Sequence, residues 1–407
     1  MIPLPPLLAG IAALAGAPAE PAGQLIFPPR SLHSHGSCVV ECPNGDLLAC
    51  WYSGSGERTA DDVKVLGARL RRGESRWSEP FLMADTPGFP DCNPCMIIDS
   101  SRRLWLLWPV IQSNQWESAL MKFRTSRDFQ RPGPPRWEGE RVMHLKPGTE
   151  FLQAVQRDLA PRWAPALEAA SEADKARIRE YLADRTRRAG DKLSQRLGWM
   201  TRAHPFLLGT RLAVPLYSDL FDFSLFAFTD DAGETWSVSE PIVGPGCVQP
   251  SVARRRDGTL VAFFRDNGPP PNRVITSEST DNGRTWSPPR DIDLPNPGSA
   301  LEAAVLRSGR WLLICNDTER GRHSLAVFLS EDEGRTWPIV RHLERDEPGT
   351  GAGSYHYPSV IQARDGALHA TYSITIPARD HDRLGRGESI KHTRFTEEWV
   401  LAGGRRP

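Results

Sequence analysis

His33 and His35 lie in a run of small residues, His33-Ser34-His35-Gly36-Ser37, at the head of an apolar stretch. Imidazoles there add little to packing, and no side chain is better suited to moving protons near neutral pH. The loop beyond that stretch, Ser53-Gly54-Ser55-Gly56-Glu57-Arg58-Thr59-Ala60-Asp61-Asp62, carries three carboxylates, Glu57, Asp61 and Asp62. Any of them could protonate a leaving group, although a charged Gly/Ser loop is equally often just solvated. Arg265 emerges from Val261-Ala262-Phe263-Phe264, where a cation needs a partner. Arg322, Tyr357 and Arg202 flank apolar runs in Arg322-His323-Ser324-Leu325, Tyr355-His356-Tyr357-Pro358 and Met200-Thr201-Arg202-Ala203. Amides stand at comparable places in Asn93-Pro94, Gln249-Pro250 and Asn296-Pro297.

Bringing such scattered residues together requires a repeating scaffold. The pattern hydroxyl-x-Asp-x-Gly-x-Thr-Trp begins at Thr229, Ser279 and Ser330, at intervals of 50 and 51 residues. In each copy the Asp can accept backbone N–H bonds across a tight turn and the Gly takes a positive φ. The Trp offers a large apolar face. Upstream of each copy two apolar runs flank a turn, and that hairpin unit occurs six times: Ser37–Tyr52, Cys95–Trp108, His204–Tyr217, Pro250–Phe264, Ala303–Cys315 and Pro358–Tyr372. Asn-Gly and Asp-Gly at several of these turns are strong hairpin signals. With decayed boxes at Gly73–Trp77 and Thr125–Trp137, the period predicts an all-β fold, a six-bladed β-propeller of four-stranded antiparallel blades.

The regular spacing breaks once. Residues 150–200 read as a helical insertion between blades two and three, with Ser171-Glu172-Ala173-Asp174 as a capping box. It is expected to be a helical hairpin on the rim, or less simply a wall beside the site. Ser389–Phe395 alternates as a closing strand that Gln24–Phe27 could join. The innermost strands of a propeller line its axis, so the residues singled out above would converge at one mouth.

Lys and Arg total 50, as do Asp and Glu, which gives no global electrostatic case for a nucleic-acid partner. No later run is apolar enough for a membrane span. Residues 1–19 read as a signal peptide, with apolar Leu7 to Ala17 and the small-x-small Ala17-Pro18-Ala19, so a periplasmic or secreted location is expected for the single domain 20–407. Seven cysteines scattered over several blades make no disulfide framework, and Cys92-Asn93-Pro94-Cys95 lacks zinc-like companions. They are expected as core thiols, with one local bridge possible. No metal or cofactor is implied.

The three boxes and the segments Val248-Gln249-Pro250-Ser251, Leu294-Pro295-Asn296-Pro297-Gly298-Ser299, Tyr357-Pro358-Ser359-Val360-Ile361-Gln362 and Ser389-Ile390-Lys391-His392 resemble the sialidase-like Asp-box (bacterial neuraminidase repeat) superfamily. The likeness is to its predicted exo-α-sialidase branch. It implies that the boxes are rim turns and that three arginines clamp a substrate carboxylate, because planar guanidinium donors match it bidentately. Arg265 matches the second of these and Arg322 the third. Tyr357 matches the tyrosine nucleophile, and Asp61 or Asp62 the acid/base aspartate. The chain departs from the pattern twice: His35 stands where the first arginine belongs, and Gln249 where a glutamate deprotonates the tyrosine. An amide cannot act as a base, and an unaided tyrosine is a weak nucleophile at neutral pH.

The implied function is a carbohydrate-active enzyme, an exo-acting sialidase-like glycoside hydrolase on an acidic sugar of an oligosaccharide or glycoconjugate. Arg265 and Arg322 would hold the carboxylate, and Asp61, Asp62 or Glu57 would be the acid. Tyr357 and His35 would act at the reacting centre, with His33, Asn93, Arg202, Gln249 and Asn296 shaping the pocket. The loss of the glutamate equally suits a uronate lyase using His35 and Tyr357, or a glycan-binding propeller without turnover.

Overall fold

The structure, a computed structural model, describes residues 20–406; the expected signal peptide, residues 1–19, lies outside the described residues. The described chain forms six antiparallel sheets. Sheet one runs through His33–Glu41, Leu47–Gly54, Lys64–Leu70 and Phe81–Ala84, each strand paired with the next. Sheets two, three and four repeat this meander, with first strands Cys95–Ile98, Phe206–Leu208 and Cys247–Arg254. Sheet five begins at Glu302–Val305 and has five strands where four were expected. Gly404–Arg405 pairs with the unprotected outer edge of Ile339–Arg345.

Sheet six contains Ser354–Gln362, Leu368–Thr375 and Glu388–Phe395, and its outer strand comes from the other end of the chain. Ala22–Leu25 pairs antiparallel with Glu388–Phe395, Ala22 opposite Arg394 and Leu25 opposite Lys391. The two segments pair as expected, but the N-terminal strand lies two residues before the expected Gln24–Phe27.

In the boxes the Asp does the bonding expected of it. Asp281 Oδ1 accepts from Ser279 Oγ at 2.8 Å and Thr285 N at 3.0 Å, while Oδ2 accepts from Thr285 Oγ1 at 2.6 Å. Two consecutive residues take the left-handed conformation, Asn282 and Gly283 here, so the turn needs more than its glycine. Gly is required for a second reason at Gly334, where an added Cβ would meet the Trp311 ring at 2.7 Å.

Each box tryptophan packs on the preceding sheet. Trp236 meets Phe123 at 5.7 Å between ring centroids, Trp286 stacks on Phe226 at 4.7 Å, and Trp337 meets Phe263 at 5.5 Å. Trp77, in the decayed box of sheet one, reaches His392 of sheet six at 5.2 Å. The boxes are therefore fasteners between neighbouring sheets, using the aromatic contacts that contribute most apolar area. All seven cysteines are buried and free, and Cys92 and Cys95 are not bridged.

Between sheets two and three lie α1 (Thr149–Ala169), α2 (Glu172–Ala189) and α3 (Lys192–Arg196). Ser171 caps α2 by accepting from Asp174 N, as its sequence suggested. α1 continues through Pro161 and Pro165, beyond the apolar face of Phe151, Val155 and Leu159 that docks it. Phe151 packs against Trp199, Phe221 and Phe223. From α2, Tyr181 Oη donates to Asp222 Oδ2 at 3.0 Å, and Arg185 lies 3.8 Å from the same carboxylate. Both helices thus brace the turn that follows Arg211–Ser218.

Candidate active site

Three of the six first strands share a local irregularity. Each of His33–Glu41, Cys247–Arg254 and Ser354–Gln362 carries a bulge where pairing skips, between His35 and Cys38, Val248 and Ser251, and His356 and Ser359. At these bulges Gly36, Gln249 and Tyr357 have φ of 66°, 54° and 56°, and Asn93, just before its strand, has 40°. Proline follows Asn93, Gln249 and Tyr357; it cannot donate to the ladder, so pairing lapses and the side chain is re-aimed. A left-handed tyrosine is strained by about 1–3 kcal/mol, and strain of that kind collects at functional sites.

The re-aimed residues meet in one cavity of about 320 Å³, lined by His33, His35, Glu57, Asn93, Trp116, Tyr217, Asp219, Gln249, Arg265, Arg322, His356 and Tyr357. At its centre Tyr357 Oη accepts from Arg265 Nη1 at 3.0 Å and from Gln249 Nε2 at 3.3 Å. The His35 ring lies 4.0 Å from the Tyr357 ring, with His356 at 4.5 Å and His33 at 5.2 Å from His35. Arg322 stands 5.6 Å from the Tyr357 ring centroid and donates to Gly298 O at 3.0 Å. Neither Arg265 nor Arg322 forms a salt bridge with any described residue, whereas most other arginines of the chain do.

Burial and nearby positive charge set the protonation of the imidazoles. Burial first, then the charges of His356, His33, Arg322 and Arg202, hold His35 well below the usual imidazole value. His356 falls to about 3 for the same reasons, so both rings are neutral at neutral pH. His33 differs. Burial opposes its charge, but the Glu388 carboxylate, bonded at 3.0 Å, and Glu57 raise its value. Several lining residues hold buried polar atoms without a protein partner: His35 Nδ1, His356 Nδ1, Asn93 Oδ1, Gln249 Oε1 and Arg265 Nε.

Four residues expected at the site are elsewhere. Asp62 is exposed and accepts from Ser55 N and Oγ, closing its own loop, and exposed Asp61 accepts from Asn114 at 2.9 Å. Asn296 is buried under the surface, where its Oδ1 caps Gly298 N and Ser299 N. Arg202 lies behind the cavity, donating to Ser37 O and Pro358 O with its guanidinium 5.0 Å from the Tyr357 ring. It supports the two bulges and is not a lining group.

Of the lining residues Trp116 was not expected, while Tyr217, Asp219 and His356 stand at strand ends that were expected at the mouth but had no role assigned. Tyr217-Ser218-Asp219 ends the second strand of sheet three just as Arg265 ends that of sheet four, so position in the repeat was the available signal. Trp116 sits in an irregular turn, Trp116–Ser118, which no period marks.

The sequence matches the BNR repeat-like domain over residues 45–161 and 192–370, with the break falling across the end of α1 and α2. A sialidase from Micromonospora viridifaciens is 24% identical over 95% of this chain, which spans 56% of that protein. The leech intramolecular trans-sialidase, solved with 2,7-anhydro-Neu5Ac, superimposes with a TM-score of 0.65 at 12% identity, over 93% of this chain and 71% of that one. The intramolecular trans-sialidase from Ruminococcus gnavus gives 0.63 at 13% identity, over 94% and 98%. The chain belongs to the BNR repeat-like domain family, within the sialidase-like Asp-box superfamily.

Proposed function

We propose that this chain is an exported, sialidase-like glycoside hydrolase that removes a terminal carboxylate-bearing sugar from an oligosaccharide or glycoconjugate. In this reading the six sheets are the blades of one propeller, residues 20–407, and α1 to α3 are its insertion. The carrying observation is the pair Arg265 and Arg322, two guanidinium groups lining one cavity with no carboxylate within salt-bridge distance. Both guanidinium groups are half-buried, and their planar donors match a substrate carboxylate bidentately. Neutral His35 adds a hydrogen bond where a third cation is absent. Tyr357, held by two donors on its oxygen, is the nucleophile or the stabiliser of the developing positive charge at the anomeric carbon. The proton donor comes from the cavity carboxylates, Glu57 and Asp219, since Asp61 and Asp62 are bound outside it.

A second reading is favoured by one contact. The group 3.3 Å from Tyr357 Oη is an amide, and the neutral ring of His35 lies against the same tyrosine. That pair suits β-elimination on a uronate, with His35 taking the proton α to a carboxylate that the arginines neutralise. Incubation with a fluorogenic α-sialoside and with a uronate-containing polysaccharide separates the two. Fluorophore release supports hydrolysis, a rise in ultraviolet absorbance from an unsaturated uronate supports elimination, and binding without either leaves a glycan-binding module.

A further inference from the structure

We infer that Asp219 is the general acid of this cavity, the carboxyl that protonates the leaving oxygen; the inference rests on the hydrolase reading above. Asp219 lines the cavity with Tyr357 and Arg265, and no hydrogen bond or salt bridge to a described residue engages it. The other cavity carboxylate, Glu57, is occupied: Tyr52 Oη donates to it at 2.6 Å and Arg58 lies 3.7 Å away. Asp222, three residues on, is fully used by Tyr181, Asn267 and Arg185. That clamp fixes the turn 218–222, where Asp222 N donates to Ser218 O at 2.8 Å, and so fixes where Asp219 projects.

The surroundings also suit proton donation. Burial raises Asp219 to about 6, with Asp222 and Glu57 adding to the rise while Arg265 and Arg58 oppose it. A substrate carboxylate seated on Arg265 would cancel that opposition and favour the protonated form further. In the step itself the Asp219 proton passes to the glycosidic oxygen, which keeps the electron pair of the breaking C–O bond. Water then bonds to the anomeric carbon and returns a proton to Asp219, so the enzyme is regenerated.

The test compares Asp219→Asn with the unaltered protein on two glycosides of one acidic sugar, one with a nitrophenyl and one with a simple alkyl leaving group. The expected result is a loss in kcat/KM of about 100-fold or more on the alkyl glycoside, and under about tenfold on the nitrophenyl glycoside, which needs no acid. Calorimetric titration with the free acidic sugar in buffers of differing ionisation enthalpy should show proton uptake that Asp219→Asn removes. Equal losses on both glycosides, or none, overturn the inference while leaving the hydrolase reading intact. No turnover of either glycoside by the unaltered protein overturns that reading, and this inference with it.

Discussion

Arg265 Nη1 and Tyr357 Oη are 3.0 Å apart, so a cation and a phenol from sheets four and six form one unit at the centre of the cavity. The contact fixes the phenol oxygen by a charge-assisted donor. It also aims the guanidinium: Nη2 is held by Asn267 Oδ1 at 3.2 Å, while Nε has no protein partner.

Arg265→Ala should therefore weaken binding of an acidic sugar by about 10- to 100-fold, the scale of one lost charge-assisted hydrogen-bond set. Thermal stability should fall little, because the guanidinium removed is half-buried and forms no salt bridge with a described residue. Calorimetry with the free sugar and a melting curve check the two halves, and unchanged affinity would sink the carboxylate-clamp idea.

Gln249→Glu places a carboxylate about where the amide now stands, 3.3 Å from Tyr357 Oη. If the phenol is the nucleophile, a neighbouring base should raise kcat on a nitrophenyl glycoside by about tenfold or more. A fall in rate would assign Tyr357 a role that does not involve losing its proton.

Away from the cavity lining, Glu302 joins three sheets. It accepts from His204 N at 2.9 Å and His204 Nδ1 at 2.8 Å, and through its other oxygen from Val360 N at 2.8 Å. Burial opposes charge on both residues, but the attraction wins, holding Glu302 below 4.5 and, together with Cys38, His204 above 6.5. The Glu302 contribution is present above pH 4.5 and lost as pH falls through its lowered value. The His204 contribution is present below pH 6.5 and lost as pH rises through its raised value. Glu302→Gln should cost about 3 kcal/mol in urea unfolding, with the gap from the unaltered protein widest between those two pH values.

Asp281→Ala removes four hydrogen bonds from a rim turn and should lower stability by about 1–2 kcal/mol. Since the box contributes no cavity residue, kcat/KM should be unchanged. A loss of activity at a temperature where the variant is fully folded would contradict the fastening role given to the boxes.

The scaffold was legible because its signals are local and repeated. Asn-Gly and Asp-Gly turns, the Thr-Trp boxes and the Ser171 cap each act within a few residues, and six hairpins form where they were read. The sheet-five addition of Gly404–Arg405 was not legible, since two residues carry no period. The site was half legible. His35, Arg265, Arg322 and Tyr357 mark themselves by being polar or charged at the ends of apolar runs. Asp61 and Asp62 look the same in sequence as Glu57, and only the bonds to Ser55 and Asn114 separate them. Asp219 is informative through α2, a segment remote in sequence whose Tyr181 fixes its turn.

Ala22–Leu25 belongs to the same sheet as Glu388–Phe395, so one edge of the molecule depends on two segments made at opposite times. During synthesis the early segment lacks this partner until Glu388–Phe395 has emerged. Pairings of such long range slow folding and leave strand edges open to other chains meanwhile. Assembly of this sheet should thus be limited by a late meeting of these two segments, and chaperone demand should be highest in that interval.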